Sequence, residues 1–540
     1  MQQPQPTKPS SSTGKIARSA GSVGSAVMCS RVLGLVREQL FAALFGAGMS
    51  YDAFVVAFRI PNLLRDLFGE GALSAAFVTV FTEYDTNKGQ KATWELASTV
   101  LIFFAIALSA LVLIGIYWSE PIVHLLAHDF QNVDGKIALT AKLTRIMFPF
   151  LILISLSAVV MGILNTKGRF FIPALASSFF NLGSILGGVT LSLLFPKFGQ
   201  PAITGMAVGT LIGGLLQLSI QLPTLYKTGF RFIPRIQPNH PGLKKILWLM
   251  LPATIGLSAT QINIFINTNF AAGCEQGAVS WLNYAFRFVQ LPIGLFGVAF
   301  SIAAMPVLAR QAAEKQIDKL KTTFVSSLVM VFSLTIPATV GLLVLAEPII
   351  RLVFEHGVFT GVDTLKTAQA LQFYALGLFA YSSVKVMVPV FYAINTTKFP
   401  VIGSFIGVAA NLLIIVMIID HLQFRGIALA TSCAMTCNFL FLALTLTQKL
   451  EGLPLGYLLR GILKIGIAAI IMGVTTWWGR SLLRGWLQGP LPMQAAGVFI
   501  LIGSAAVLYA LLLQLLKLPE FTMLTEKMVQ RFARSKRSCT

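Results

Sequence analysis

Residues 57–69 read AFRIPNLLRDLFG, and residues 285–297 read AFRFVQLPIGLFG. Ala57, Phe58, Arg59, Leu63, Leu67, Phe68 and Gly69 recur, 228 positions on, as Ala285, Phe286, Arg287, Leu291, Leu295, Phe296 and Gly297. Ala75 and Ala76 recur at the same offset as Ala303 and Ala304. The echo extends further: Asn165-Thr166 returns as Asn395-Thr396 and Asn181 as Asn411, both 230 positions later. TGMA at 204–207 returns as RGIA at 425–428, an offset of 221 that one shortened loop explains. A near-constant offset across six apolar segments indicates two six-helix bundles of common origin. Six spans separate equivalent positions, so both copies have the same orientation in a membrane. Parallel repeats of this kind are a transporter architecture, with the substrate path at the repeat interface near the midplane.

The membrane assignment rests on composition. The 540 residues are 56% hydrophobic and 11% charged, with a mean hydropathy of +0.78, whereas soluble domains carry about 25% charged residues. The stretches 146–166, 170–196, 198–226, 246–274, 322–346, 399–419, 426–448 and 485–516 contain no Asp, Glu, Lys or Arg. Each is long enough to cross the hydrocarbon, which takes about 20 apolar residues. Spans are also readable near 94–118, 366–393 and 456–478, and three more, near 22–48, 53–84 and 279–309, are interrupted by charge. The expected fold is therefore an all-α polytopic membrane protein of about 14 transmembrane helices. It comprises a tail over 1–20, an N-lobe over 21–232, a linker over 233–242 and a C-lobe over 243–448. Two extra helices over 449–520 and a basic tail over 521–540 complete the chain. The junction FIPRIQPNHPGLKK carries three prolines and is not one continuous helix.

The net charge of +21 does not point to nucleic acid, because Lys and Arg alternate by loop. They cluster at Lys88 and Lys91, at Lys167 and Arg169, from Lys227 to Lys245 and from Arg310 to Lys321, and again at Lys398, Lys449 and 527–537. The intervening loops carry acids such as Glu120, Asp129 and Asp134, or Glu347, Glu355 and Asp363. The positive-inside rule then places both termini in the cytoplasm, and an even number of spans agrees. The first 20 residues have no apolar core, so no cleavable signal peptide is expected.

An arginine at the centre of a membrane helix costs about 2.5–3.5 kcal/mol even on the lenient insertion scale. The first two spans carry Ser30, Arg31, Arg37, Glu38, Asp52, Arg59, Arg65, Asp66 and Glu70. Asp52, Arg59 and Asp66 recur every seven residues and share a helix face, with Glu70 one turn beyond. Internal pairing and snorkelling account for part of this set. They do not account for Arg287, which has no acid within 11 residues. The excess of cations predicts a polar central cavity with an anionic ligand, and a guanidinium fork suits phosphate or diphosphate oxygens. Glycines at 205, 209 and 213 read as a close-packing face. Lys385, mid-span, reads as cavity lining or as one half of a pair. His124 and His128 beside Asp129 read as a solvated helix end, and the scattered Cys29, Cys274, Cys433, Cys437 and Cys539 suggest packing, so no metal or cofactor is expected. No GxxxxGK[ST] loop, HExxH motif or Ser/His/Asp set is present, which disfavours an ATPase or an intramembrane enzyme.

The run SRVLGLVREQLFAALFGAGMSYDAFVVAFRIPNLLRDLFGEGALSAAFV at 30–78 closely resembles the N-terminal signature of the MurJ (MviN) lipid II flippases. These belong to the multidrug/oligosaccharidyl-lipid/polysaccharide exporter superfamily. The likeness covers essentially all of 21–520. The resemblance implies flipping of the undecaprenyl-diphosphate-linked peptidoglycan precursor, lipid II, from the cytoplasmic to the periplasmic leaflet of the inner membrane. It implies a cationic cavity with essential arginines at Arg31, Arg37, Arg65 and Arg287. Asp52 matches the acid after the family's GAG turn, and Glu70 matches the FxEGA glutamate. Ser30 and Arg59 are grouped with them as supporting or gating positions. Some members carry acids flanking the arginine of the eighth span, where Phe286 and Gln290 stand here. The two extra helices imply a lipid-tail groove, and the partners implied are lipid II, membrane lipids and other cell-wall synthesis proteins. A flippase for another polyprenyl-diphosphate-linked oligosaccharide is the alternative. A multidrug cation exporter would want acids to outnumber arginines in the cavity.

Overall fold

Inside hydrocarbon the backbone must satisfy its own hydrogen bonds, which a chain of this composition can do only as helices or a closed barrel. A computed structural model describes residues 11–68, 72–235 and 237–522, and all the regular structure among them is helical. Among the described residues, ten helices or continuous helical runs are long and apolar enough to span a membrane, and two bent pairs bring the number to twelve. The fourteen expected spans include 22–48 and 53–84, which that criterion does not count. The Met49–Phe68 helix is only 20 residues long and contains Asp52, Arg59, Arg65 and Asp66. The Ser11–Phe45 helix carries Lys15, Arg18, Arg31, Arg37 and Glu38 and has a low mean apolarity. Met49–Phe68 fails on charge, with four charged residues in 20.

The chain divides into two compact units, Met1–Gln276 and Gly277–Thr540. In the first, the helices Phe171–Leu194 and Ile203–Ser219 form a hairpin with its backbones in contact. A Cβ at Gly205 would lie 2.2 Å from the Ser192 nitrogen, and one at Gly209 would lie 2.4 Å from the Gly188 Cα. Glycine is required there because lipid tails are as apolar as Leu, so helices in a bilayer associate by close packing and interhelical hydrogen bonds. The second unit contains the equivalent hairpin, Lys398–Leu422 and Phe424–Lys449. The repeated asparagines Asn181 and Asn411 are both buried.

Also in the second unit, the Ala278–Pro292 helix runs through a π-helical segment, Ile293–Val298, into Ala299–Ala313. The pair Gly361–Ala375 and Leu378–Ala393 bends by 43° at a break containing Gly377, where a Cβ would lie 2.8 Å from the Ser432 Cα. The two helices beyond the repeat, Leu455–Leu482 and Leu491–Leu515, close on Ile317–Phe354. Phe324, Phe332, Ile465, Met472, Tyr509 and Leu513 form part of the shared core. The Tyr509 hydroxyl donates to the Ser333 carbonyl at 2.8 Å.

The proline-rich junction is not one continuous helix, as expected: its described residues before Pro241 are non-helical. The next helix begins at Pro241 and bends by 48° beside Pro252. Its start is capped by the His240 ring, which accepts from the Gly242 N–H at 3.1 Å. Burial lowers the His240 pKa, a lowering that Glu95 opposes and Lys88 reinforces. A folded-state pKa below the unfolded value makes the cap's contribution fully present above the histidine's ordinary pKa. It is lost as pH falls through the folded value. The thermal midpoint of the native chain is thus expected to drop on acidification through that range. The profile should flatten in His240→Asn, which caps without titrating. An unchanged profile in that variant would refute the cap's role.

Candidate substrate-binding site

The polar residues of the first two helices resolve into three small clusters, all in the first unit. Arg37 and Glu38, adjacent in sequence, pair at 2.8 Å. The second Glu38 oxygen accepts from the buried Tyr51 hydroxyl, also at 2.8 Å. The Arg37 guanidinium carbon lies 5.4 Å from the Phe180 ring centroid, and its Nε is buried with no hydrogen-bond partner among the described residues. Ser30 is gripped from the hairpin, where Asn181 Nδ2 donates to its carbonyl at 3.0 Å.

The second cluster is a buried ion pair. Lys136 reaches Asp52 at 2.9 Å, with side chains only 3% and 1% exposed. The ammonium lies 3.9 Å from the centroid of the Phe130 ring. Lys136 opens the helix Lys136–Met147. Sequence reasoning did not single it out, because a lysine just after Asp129 and Asp134 reads as one more loop charge. The signal was present all the same: Asp52 lacks a cation one turn away on its own helix.

In the third cluster Arg65 donates to Asp66 through Nε at 3.2 Å and Nη2 at 2.8 Å. Gln261 donates to the other Asp66 oxygen at 3.2 Å. Asp66 is therefore held by its sequence neighbour and by the Pro241–Ala272 helix. Arg59 is half-buried. Arg31 is exposed and makes no ion pair or hydrogen bond among the described residues. Glu70 lies outside the described residues. Arg287 belongs to the second unit, exposed on the Ala278–Pro292 helix six residues before the π-helical segment. Neighbouring Phe286 stacks edge-on against Tyr374 and Tyr381. Lys385 is also exposed.

No group of three metal-ligating side chains occurs among the described residues. His128 bonds to Gln131 at 2.9 Å. Burial, with Glu275 and Asp129 adding to it, pushes the Cys274 thiol up to about 12, so it stays protonated and unreactive at neutral pH. What the clusters offer chemically is cationic hydrogen-bond donors in apolar surroundings, which suits an anion.

The family model described as "Lipid II flippase MurJ" matches residues 41–497. This chain belongs to the MurJ family. A relative named probable lipid II flippase MurJ, from Buchnera aphidicola subsp. Acyrthosiphon pisum, is 38% identical over 79% of this chain and 83% of its own length. Another of that name, from Vibrio cholerae, is 34% identical over 93% and 96%. Among solved structures, a lipid II flippase MurJ in an inward closed conformation superposes with a TM-score of 0.77 at 29% identity. That match covers 92% of this chain and 99% of the other. A multidrug MATE-family transporter in an inward-facing conformation superposes at 0.65 with 16% identity, over 80% and 99%, a likeness of fold alone. The all-α polytopic architecture expected from the repeat is therefore that of MurJ proteins, and the chain is a multi-pass membrane protein of a transporter family.

Proposed function

We propose that this chain flips lipid II from the cytoplasmic to the periplasmic leaflet of the bacterial inner membrane. It does so by alternating access through a cationic central cavity. Arg31, Arg37, Arg65 and Arg287 hold the diphosphate, while Ser30, Asp52, Arg59 and Glu70 support or gate it. Both termini face the cytoplasm, and the two C-terminal helices form a groove for the polyprenyl tail. The observation that carries this reading is the state of the first helix. Arg31 has no partner among the described residues, and the buried Nε of Arg37 has none either. In a member of the MurJ family, an anionic lipid-linked diphosphate is the ligand that completes such a set.

The test is leaflet-resolved labelling of lipid II while the protein is depleted. The expected result is a fall in the externally accessible pool with accumulation in the inner leaflet, and an unchanged distribution would overturn the proposal. The same assay reports the driving force. Each elementary charge crossing the field is worth about 2.3 kcal/mol per 100 mV, and a potential negative inside favours outward movement of an anion. Collapsing the potential at constant pH gradient is expected to stop the transfer.

A further inference from the structure

A polar cavity of about 390 Å³ lies at one end of the second unit, apart from the arginines assigned to the diphosphate. Glu347 and Arg351 line it from the end of the Ile317–Phe354 helix. Trp477 and Arg480 come from the end of Leu455–Leu482, and Arg484 and Gln488 from the connection to the last span. Glu347 is shared between Arg351, at 3.1 Å, and Arg480. Arg351 also reaches Glu355 at 3.1 Å, and Arg480 donates to the Val344 carbonyl at 3.0 Å. These bonds fix two guanidiniums in place. Arg484 is exposed, and its side chain has no ion pair or hydrogen bond among the described residues. Three arginines therefore face two carboxylates, and the uncompensated charge sits on Arg484. The floor is firm, because Leu487 packs with Leu345, Val498 and Leu501.

Depth in the membrane is marked independently. Trp477 in the wall, its neighbour Trp478 and Trp486 in the connection are exposed by 57%, 65% and 45%. Tryptophans at the ends of spans collect at the membrane–water interface, the level of lipid headgroups. We infer that this cavity binds the phosphate of an anionic phospholipid headgroup in the leaflet that the 483–490 connection faces. Under the orientation proposed above that leaflet is the periplasmic one. A cavity this size sits at the lower end of ordinary ligand pockets, which suits a phosphoglycerol group and not a disaccharide-peptide. The Arg351 and Arg480 forks supply fixed donors, and Arg484 is the charge that the phosphate neutralises.

The experiment is equilibrium binding of a short-chain phosphatidylglycerol to the detergent-solubilised full-length chain, with the matched phosphatidylcholine alongside. Losing one charge-assisted bond should weaken phosphatidylglycerol binding about tenfold in Arg484→Ala. Arg484→Lys should keep part of the affinity, and phosphatidylcholine should bind weakly to all three proteins. Equal binding by Arg484→Ala and the native chain would overturn the inference, as would equal binding of the two lipids. Displacement by inorganic phosphate, or by a soluble polyprenyl diphosphate, at concentrations matching the phospholipid would also overturn it. In that case the source of the phosphate is not a headgroup. The assay reads no transport, so its failure and failure of the flippase reading are separate results.

Discussion

Lys136→Ala is expected to be among the most destabilising single changes in the first unit. It leaves the Asp52 carboxylate buried and without its ammonium, and breaking a buried pair from one side costs about 3–5 kcal/mol. Loss of the ammonium from the Phe130 ring adds to this. Against a total stability of about 5–15 kcal/mol for a typical domain, that loss should appear as a large drop in thermal midpoint and in accumulation in the membrane. The pair nevertheless has an apolar substitute: Lys136→Met combined with Asp52→Leu should recover most of the stability, since two charges leave the interior together. The double variant also separates structure from function. If it folds and still supports growth, Asp52 is a structural anchor for the second helix and not a gating group. If it folds and fails, the carboxylate acts in transport. A Lys136→Ala midpoint within about 1 kcal/mol of native would show that water reaches the pair.

The second large effect is on transport. Arg31→Ala, Arg65→Ala and Arg287→Ala should each abolish complementation of a strain depleted of its lipid II flippase, while the proteins insert and accumulate normally. Arg31 bears this contrast most sharply. It is exposed and bonded to nothing described, so its removal should shift stability by no more than about 0.5 kcal/mol. Each lost guanidinium–phosphate contact is worth about 1.5–3 kcal/mol, so the three together amount to several orders of magnitude in affinity. Lysine should be only partly tolerated at these positions, because a point charge lacks the two-pronged geometry. Normal growth with all three arginines replaced would sink the diphosphate assignment. Arg65 carries a further condition. It is tied to Asp66 in the structure, so Asp66→Asn should alter its transport role without removing the guanidinium.

Much of this architecture was legible because a bilayer imposes a simple code. Uncharged stretches of span length, prolines at the 232–245 junction and glycines at 205 and 209 each have one dominant physical consequence in lipid, and the structure shows it. The number of spans was less legible, because charge interrupts 22–48 and 53–84 and the described residues give ten to twelve. The site was legible as a list of arginines and much less so as a set of contacts. Helical periodicity placed Asp66 on the same stripe as Arg59, yet its carboxylate meets Arg65 and Gln261. Long side chains fold back along a helix and ignore the nominal angle of their Cα. Lys136 was illegible for a different reason. Its partner is 84 residues away, and neither periodicity nor local charge counting sees across that distance.

The glycine seam between Phe171–Leu194 and Ile203–Ser219 also has a mechanical meaning. Where Gly205 and Gly209 bring the two backbones into contact, nothing larger than hydrogen separates them, so the hairpin moves as one packed unit. Asn181, within that unit, holds the Ser30 carbonyl, one residue from the exposed Arg31. Any displacement of the first helix under load is therefore resisted at Ser30 and passed into an element that moves as one. Compliance has to come from the first helix itself, on either side of that grip, and the turning point for Arg31 is the asparagine.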